Sequence, residues 1–293
     1  MANVLPTAKR AQILHMLVEG NSMRATSRMA DVSINTVSKL LVDAGEACAE
    51  YHDKTVRNVK AERVQCDEIW SFVAAKQKNV ETMKEPVDGA GDVWTWTALD
   101  ADSKLIVSYL VGGRSAEYAD AFIADVAERL ANRVQLTTDG HAAYLEAVEG
   151  AFGADVDFAQ LVKLYGTAPD AAKGRYSPAE CIGARKTPVE GDPDEAHIST
   201  SYVERMNLNI RMGNRRFTRL TNAFSKKIEN HLHMLSLYFV HYNFCRMHKS
   251  LRMSPAMAAG VSDTLRDMEW IVGLIDARAP KPKRPKRYKR NAD

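Results

Sequence analysis

Apolar residues recur at helical spacing through the first part of the chain, and short polar segments divide the pattern into three helices. The first helix ends near Gly20. Ser22 is the predicted N-cap of a second helix that ends at Ala30, and Ser33 is the predicted N-cap of the third. Asp31 lies between these two helices and tolerates the left-handed backbone of a tight turn. This order of helices, caps and turn predicts a helix-turn-helix module.

The third helix, predicted over residues 33–44, has an apolar and a polar face. Val32, Val37 and Leu40 are expected to face inward. The polar residues that would point to a DNA groove are Ser33, Asn35, Thr36, Ser38 and Lys39. Helix pairs of this length also occur in bundles that bind no nucleic acid, so the pattern alone leaves both interpretations open. We predict a DNA-binding module over residues 1–45 and a helical linker over residues 46–61.

From residue 62 the pattern changes to that of β-strands. Residues 62–76, 92–101 and 104–113 are rich in β-branched and aromatic side chains, and an acidic turn separates the last two segments. These three segments predict an antiparallel meander. A helix within residues 115–133 then leads to a short strand at 134–140.

A further helix and a possible strand near residues 156–166 follow. Three antiparallel strands followed by alternating helices and strands predict an α/β fold of the ribonuclease H type, in which helices flank a mixed sheet. We predict that this domain covers residues 62–260, with an irregular Pro-rich insertion at 167–198.

Residues 261–293 are predicted to form a C-terminal helix and a basic tail. The tail has seven basic and no acidic residues at positions 280–290, so removing it takes the formal net charge from +3 to −4. Local basic patches, rather than the overall charge, therefore suggest a polyanionic partner. A solvated tail that aids solubility is the alternative interpretation.

Length and composition limit the class of protein. A chain of 293 residues with 45% hydrophobic residues can form a substantial core and a smaller module. The N-terminus lacks the apolar region of a secretory signal, and no uncharged stretch has the length and apolarity of a bilayer span, so we expect a cytoplasmic protein without membrane association. Four widely spaced cysteines argue against a zinc site or a disulfide framework.

Three acids stand out against this background. Asp67 interrupts a strand of otherwise buried character, Asp139 ends another predicted strand, and Glu204 lies in a helix rich in arginine. An ionised Asp on a covered strand is unfavourable unless it is compensated. Each acid alone has an ordinary explanation, namely a strand end, a helix cap or an arginine partner. Together they predict a carboxylate site for Mg²⁺, in which two ions typically lie about 3.5–4 Å apart.

Other candidates are less persuasive. Glu68 would point away from Asp67 in a regular strand and is expected to be ion-paired. The later histidines suggest a metal cluster at first: His231, His233, His241 and His248. His231 and His233 are two apart on a helix and face different directions, so packing and phosphate contacts are a better explanation than metal binding. His141 follows Asp139 closely and is a candidate hydrogen-bonding partner near the acids.

The segments CDEIWSFV, TTDGHAAY and SYVERMNLNIRMGNRRFTR resemble the three blocks of DDE transposases, especially those of the insertion-sequence-one family of bacterial elements. The resemblance implies a ribonuclease H-like catalytic domain that uses Mg²⁺, with Mn²⁺ able to replace it, and a catalytic triad of Asp67, Asp139 and Glu204. It also implies that Arg211 touches a DNA phosphate. Arg215, Arg216 and Lys249 are further predicted DNA contacts. Two features depart from the family, because the zinc-binding cysteine cluster of many relatives is missing and a long insertion precedes Glu204.

The expected function is therefore that of a transposase. It would bind double-stranded DNA at the terminal inverted repeats of an element, cleave it, and join it to target DNA as a homo-oligomer. Two alternatives stay open from the sequence: an endonuclease or integrase of the same fold without transposition, and a helix-turn-helix transcriptional regulator without catalysis.

Overall fold

The computed structural model describes residues 4–85, 87–166, 181–218 and 221–278. Its helices and strands, in chain order, are α1 Thr7–Val18, α2 Met23–Ala30, α3 Ile34–Thr55, β1 Arg63–Val73, β2 Gly91–Asp100, β3 Ile106–Gly112, α4 Ala116–Arg129, β4 Gln135–Asp139, α5 Ala143–Phe152, β5 Asp157–Tyr165, β6 Cys181–Glu190, α6 Ser201–Gly213, α7 Ile228–Val240, α8 Pro255–Ala258 and α9 Met268–Arg278. Among the predicted DNA contacts, Ser33 caps α3 and the others up to Lys39 lie in its first turns. The basic tail lies outside the described residues.

The strands form one mixed sheet in the order β3-β2-β1-β4-β5-β6. β1, β2 and β3 form the predicted antiparallel meander, whereas β4 and β5 add to β1 as parallel strands. The predicted fold class, a ribonuclease H-like mixed sheet flanked by helices, is confirmed. Since β1 is central, its side chains alternate between two faces that are both covered by helices.

Different helices cover the two faces. On one face, Trp96 packs against Phe122 of α4 and Tyr144 of α5, with ring centroids 5.8 and 5.5 Å apart. On the other face, α6 and α7 contact β1 through Gln65 and Ser71. The buried apolar side chains form one cluster that extends from the sheet into the three N-terminal helices.

The N-terminal helices confirm the predicted local signals. The Ser22 hydroxyl accepts a hydrogen bond from the Ala25 amide at 3.1 Å, and the Ser33 hydroxyl accepts one from the Thr36 amide at 3.2 Å. Asp31 has the left-handed backbone of the expected turn, with φ of 49°. The two helices and the turn are therefore formed as their caps predict.

The predicted end of the third helix at Ala44 was wrong, because α3 continues to Thr55. Gly45 is not a helix stop. It lies against α7 so closely that a Cβ there would overlap with the side chain of His233. The glycine therefore serves a close helix–helix contact. The predicted segments 1–45 and 46–61 share this one helix.

The prediction that residues 167–198 are irregular was also wrong in part. Cys181–Glu190 form β6, which pairs antiparallel with β5, whereas residues 167–180 lie outside the described part of the chain. Pro188 is compatible with a strand here because β6 is an edge strand, and the ladder shifts register opposite it at Phe158 and Ala159.

Within the described residues, no helix combines the length and the apolar character that a membrane crossing requires.

Candidate metal centre

Asp67 and Asp139 are brought together by the sheet. The parallel ladder between β1 and β4 ends with the pair Cys66 and Thr138, and each aspartate follows directly in its strand. The two carboxylates therefore leave adjacent strands at the same level. The sequence interpretation of these two positions as neighbours is confirmed.

A third carboxylate joins this pair. One oxygen each from Asp67, Glu68 and Asp139 lies within 4.8 Å of the others, so the three acids could hold one metal ion. We define them as the acidic group. The predicted ion pair of Glu68 is confirmed, because Arg114 lies 2.6 Å away and the Tyr144 hydroxyl donates to the other oxygen at 3.0 Å.

The place of Glu68 in the acidic group was not anticipated from the sequence. Strand alternation places Glu68 and Asp67 on opposite faces of the sheet. The two faces are kept apart only where a neighbouring strand is paired with β1. β4 ends at Asp139, one residue before the level of Glu68, so the Glu68 side chain can reach Asp139 past the end of that strand. The signal that could have revealed it is the short length of β4 relative to β1.

The electrostatics of the acidic group favour a cation. Burial first, and then the charges of Asp139, Glu68 and Glu204, together raise the pKa of Asp67 to about 7 against one opposing backbone hydrogen bond. The pKa of Glu68 is also raised by burial and by Asp139, although Arg114 opposes the shift. Burial and mutual repulsion both disfavour the charged carboxylates here, and a bound divalent cation would offset both.

Glu204 lies at the same cavity but is not a member of the acidic group. It shares with Asp67 and Asp139 a cavity of about 520 Å³. Its carboxylate accepts hydrogen bonds from Lys163 of β5 and, at 2.6 Å, from the Thr200 hydroxyl. The structure thus places all three acids of the predicted triad around one cavity, and their catalytic role stays a prediction.

The N-terminus of α6 is fixed to the sheet by Gln65. The side-chain oxygen of this buried β1 residue accepts hydrogen bonds from the amides of Tyr202 and Val203, at 2.9 and 3.1 Å. These amides belong to the first helical turn, where no intrahelical acceptor exists. Gln65 therefore determines where Glu204 lies relative to Asp67.

Asn207 was missed by the sequence interpretation. It lies three residues after Glu204 on α6, and its side-chain amide donates to Asp67 Oδ2 at 2.8 Å. The residue is 6% exposed, and its Oδ1 is buried without a hydrogen-bond partner among the described residues. The spacing from Glu204 was an available signal, since residues three apart share a side of a helix.

This donor set fits a hard divalent cation. The acidic group offers carboxylate oxygens, and the unpartnered Oδ1 of Asn207 adds a neutral oxygen beside Asp67. Oxygen ligands without cysteine or histidine suit Mg²⁺, Ca²⁺ or Mn²⁺. The residues present therefore have the chemistry that a divalent metal site requires.

Two cationic side chains flank the acids, and the sequence did not reveal either. Lys163 pairs with Glu204, and Arg114 lies between Glu68 and Asp139, with its Nη2 4.0 Å from Asp139 Oδ2. The Arg114 guanidinium also lies over the ring of Trp94 at 4.6 Å. For His141, it is the backbone amide that donates to Asp139 Oδ1, at 3.0 Å.

The predicted DNA contacts lie on three surfaces. Ser33 caps α3, and Asn35, Thr36, Ser38 and Lys39 follow on its first turns, with Lys39 paired to Asp43 at 2.6 Å. Arg215 and Arg216 line a cleft of about 750 Å³ beside the N-terminal helices. Lys249 lines a separate cavity of about 650 Å³ with four other basic residues, namely Lys104, Arg205, Arg246 and His248. Arg211 lies near the end of α6, and nothing in the structure tests whether any of these residues binds DNA.

Two of the four histidines, His231 and His241, agree with the predicted packing role. His231 is fully buried, and its Nδ1 is 2.9 Å from the Ser225 hydroxyl. His241 is also buried, next to the ring of His15. All four cysteines are free.

Comparisons with known proteins give low similarity. No family model matches the chain, and no curated protein matches it significantly. Among solved structures, the chain is similar to Mos1 transposase in a paired-end complex with the left transposon end, with 13% identity, 51% of this chain and 58% of that chain covered, and a TM-score of 0.21.

The chain is also similar to piggyBac transposase in a synaptic complex with hairpin DNA, with 8% identity and a TM-score of 0.40. This match covers 94% of this chain and 73% of the piggyBac chain. The Mos1 strand transfer complex gives 12% identity, 82% and 79% coverage, and a TM-score of 0.24. The chain thus covers 58% and 60% of the first two Mos1 chains. Similarity at this level does not identify an activity, so the functional argument depends on the site itself.

Proposed function

We propose that this protein is a DDE-type transposase of the insertion-sequence-one kind. It cleaves DNA strands at the ends of a mobile element and transfers them to target DNA, using Mg²⁺ or Mn²⁺. The observation that carries this proposal is the cavity at which Asp67, Asp139 and Glu204 meet, on two adjacent strands and a helix that Gln65 fixes over them.

Asp67, Asp139 and Glu204 would hold the metal, with the Asn207 oxygen beside them. Two bound Mg²⁺ ions would supply activation of the attacking oxygen and stabilisation of the leaving oxygen of a phosphodiester. Asn207 orients the Asp67 carboxylate through its amide hydrogen bond. Arg114 compensates the buried charge of Glu68, which leaves Asp67 and Asp139 available as ligands.

Lys163 keeps the carboxylate of Glu204 in place before DNA and metal enter. It also offers a positive charge at the cavity where a DNA phosphate must approach.

DNA-end binding is assigned to the N-terminal helices. The polar residues at the start of α3 enter the major groove, and α6 and the segments after it contact phosphates through Arg211, Arg215, Arg216 and Lys249. The same proposal includes the domain division predicted from the sequence, a homo-oligomer that pairs two DNA ends, and a cytoplasmic location.

The test is Mg²⁺-dependent cleavage of DNA that contains the sequences flanking the gene. Asp67→Asn keeps the side-chain shape but removes a ligand charge. We expect cleavage to fall by more than about a hundredfold, since changes to groups that only support metal ligands already cost 10–100-fold. DNA binding without metal should change less than about twofold, because Asp67 is remote from the predicted base contacts.

Asp263→Asn is the matched control, since Asp263 is exposed in a loop outside the cavity. Undiminished cleavage by Asp67→Asn would show that the catalytic assignment is wrong. Cleavage without joining, in an assay with paired ends and target DNA, would instead identify an endonuclease of the same fold.

A further inference from the structure

A polar cleft separates the N-terminal helices from the connection between α6 and α7. It has a volume of about 750 Å³. One wall contains Ser22 and Arg24 of the α2 start and Ile34, the first residue of α3. The other wall contains Asn214, Arg216 and Lys226. We call this the interhelical cleft.

The cleft is strongly cationic. Four basic residues line it and no acidic residue does so among the described residues; the four are Arg24, Arg215, Arg216 and Lys226. In the part of the chain that the structure describes, none of the four has a carboxylate within salt-bridge distance. By contrast, other surface arginines such as Arg57 and Arg133 are paired with several acids.

Arg216 is partly buried and has no carboxylate partner among the described residues. It donates to the Ser225 hydroxyl at 3.1 Å and to the Met23 sulfur at 3.5 Å, so it bridges the two walls. Burial lowers its pKa to about 10, and the guanidinium therefore stays protonated at neutral pH. A partly buried charge without a counter-charge is unfavourable unless a ligand compensates it.

Asn214 gives a second, independent sign of a missing acceptor. The residue is fully buried, and its Oδ1 accepts from the Arg216 amide at 3.1 Å. Its Nδ2 has no hydrogen-bond partner in the described residues. The unpaired amide donor of Asn214 lies on the same wall as the Arg216 guanidinium, whose hydrogen-bond acceptors are neutral. Phosphate oxygens carry negative charge and accept without donating, so they suit both groups.

We propose that the interhelical cleft binds neighbouring phosphodiester groups of the duplex that α3 contacts, so that the N-terminal helices and the segment after α6 together build the DNA-end recognition surface. This inference rests on the proposed function, because it assumes that DNA lies at the start of α3. The cleft reaches that start through Ile34, and its exposed side chains Arg24 and Lys226 leave it open to a backbone that continues on either side. Phosphate contacts of this kind fix the register of a helix in a groove.

The experiment measures how DNA affinity depends on salt. Each phosphate contact contributes about −0.9 to the slope of log K against log salt concentration. The probe is a fluorescein-labelled duplex of arbitrary sequence, about 30 bp or three helical turns long, titrated with the full chain in EDTA at several KCl concentrations. EDTA removes any contribution of the metal centre.

Arg216→Gln and Lys226→Gln should each reduce the slope by about 0.9, and the double variant by about 1.8. Lys60→Gln is the matched control. Lys60 is exposed and follows the far end of α3, whose 22 residues separate it from the cleft by about 33 Å. This control should keep the wild-type slope.

The melting temperature of the unliganded Arg216→Gln protein should not fall, because the substitution removes an uncompensated charge. A lower melting temperature with an unchanged slope would assign Arg216 a structural role and overturn the inference. Lys226→Gln keeps the test independent of folding, since its side chain is exposed.

The remaining outcomes separate the inference from the proposed function. If the wild type binds the duplex but both variants keep its slope, the cleft does not bind DNA and the predicted phosphate contact of Arg216 is wrong, although the catalytic part of the proposed function stands. If the wild type binds no DNA, the proposed function fails as well. If inorganic phosphate at constant ionic strength raises the melting temperature of the wild type but not of Arg216→Gln, while the slopes agree, the ligand is a small anion and the inference is wrong.

Discussion

At the scale of single residues, the carboxylates of the candidate site are only partly balanced by cationic side chains. In the described part of the chain, Asp67 accepts hydrogen bonds from two neutral donors, the Glu68 amide and the Asn207 amide, while burial and three other carboxylates raise its pKa. Glu68 and Glu204 each have a cationic partner. Asp67 is thus the acid that gains most from a bound cation.

A substitution of Asn207 tests how far the metal site depends on the neutral donors of Asp67. Asn207→Leu retains the approximate shape but removes the donor to Asp67, and hydrogen bonds to charged groups contribute about 1.5–3 kcal/mol. We expect Mn²⁺ to bind about tenfold more weakly, as is typical when support for a metal ligand is lost. Calorimetric titration with Mn²⁺ in the absence of DNA measures the effect.

Asn209→Leu is the control, because Asn209 lies on the same helix but lines the separate cavity around Lys249. Equal Mn²⁺ affinity in both variants and the wild type would show that Asn207 does not support the metal site.

At the scale of elements, the site depends on how α6 is attached to β1. Gln65 is 3% exposed and is the acceptor for two amides at the start of the helix. Gln65→Met leaves both amides without their acceptor, so the free energy of unfolding should fall by about 2 kcal/mol. Urea denaturation measures this change.

Gln135→Met provides the matched comparison. Gln135 also makes two hydrogen bonds, to the backbone of Asp194, but they are exposed to water. Gln135→Met should lower the free energy of unfolding by less than about 0.5 kcal/mol. If the two substitutions have equal effects, the attachment of α6 does not depend on Gln65.

The elements also show what could be predicted from sequence. Ser22, Asp31 and Ser33 were predictable because capping and tight turns depend on neighbouring residues. The continuation of α3 through Gly45 was not, because the contact with His233 is made by a helix almost 190 residues later. β6 was missed for a related reason, since its Pro188 is tolerated only at a sheet edge.

The residues of the candidate site also divide into those that the sequence could predict and those that it could not. Asp67 and Asp139 were predictable because a charged residue in an apolar strand contradicts its surroundings. Lys163 and Arg114 had no such signal, because a basic residue at a strand end or in a loop is ordinary. Their role depends on the pairing of β5 with β4 and on the end of β3.

At the scale of the whole molecule, the N-terminal helices and the sheet share one core. α3 packs on α7 and α9, and its His52 reaches the sheet, where the ring Nε2–H donates to the Ile106 carbonyl at 3.2 Å. Burial of this ring therefore connects the stability of the sheet to the position of α3. It also makes the connection sensitive to pH.

Burial lowers the pKa of His52 to about 4, with the charge of Arg129 as the next cause. In the unfolded chain its pKa is about 6.5. Between these values the unfolded state binds more protons than the folded state, so the stability that depends on neutral His52 is complete above pH 6.5 and is lost as pH falls towards 4. The loss amounts to about 1.4 kcal/mol per pH unit within that window.

His52→Gln retains a donor at the position of Nε2 but cannot be protonated. The variant should be less stable than the wild type at pH 7.5, because its packing is poorer, and the difference should shrink by about 2 kcal/mol on going to pH 4.5. Urea denaturation of both proteins across this range isolates the histidine, since the other groups titrate equally in the two chains. A difference that stays constant with pH would mean that His52 is not held neutral in the contact between α3 and the sheet.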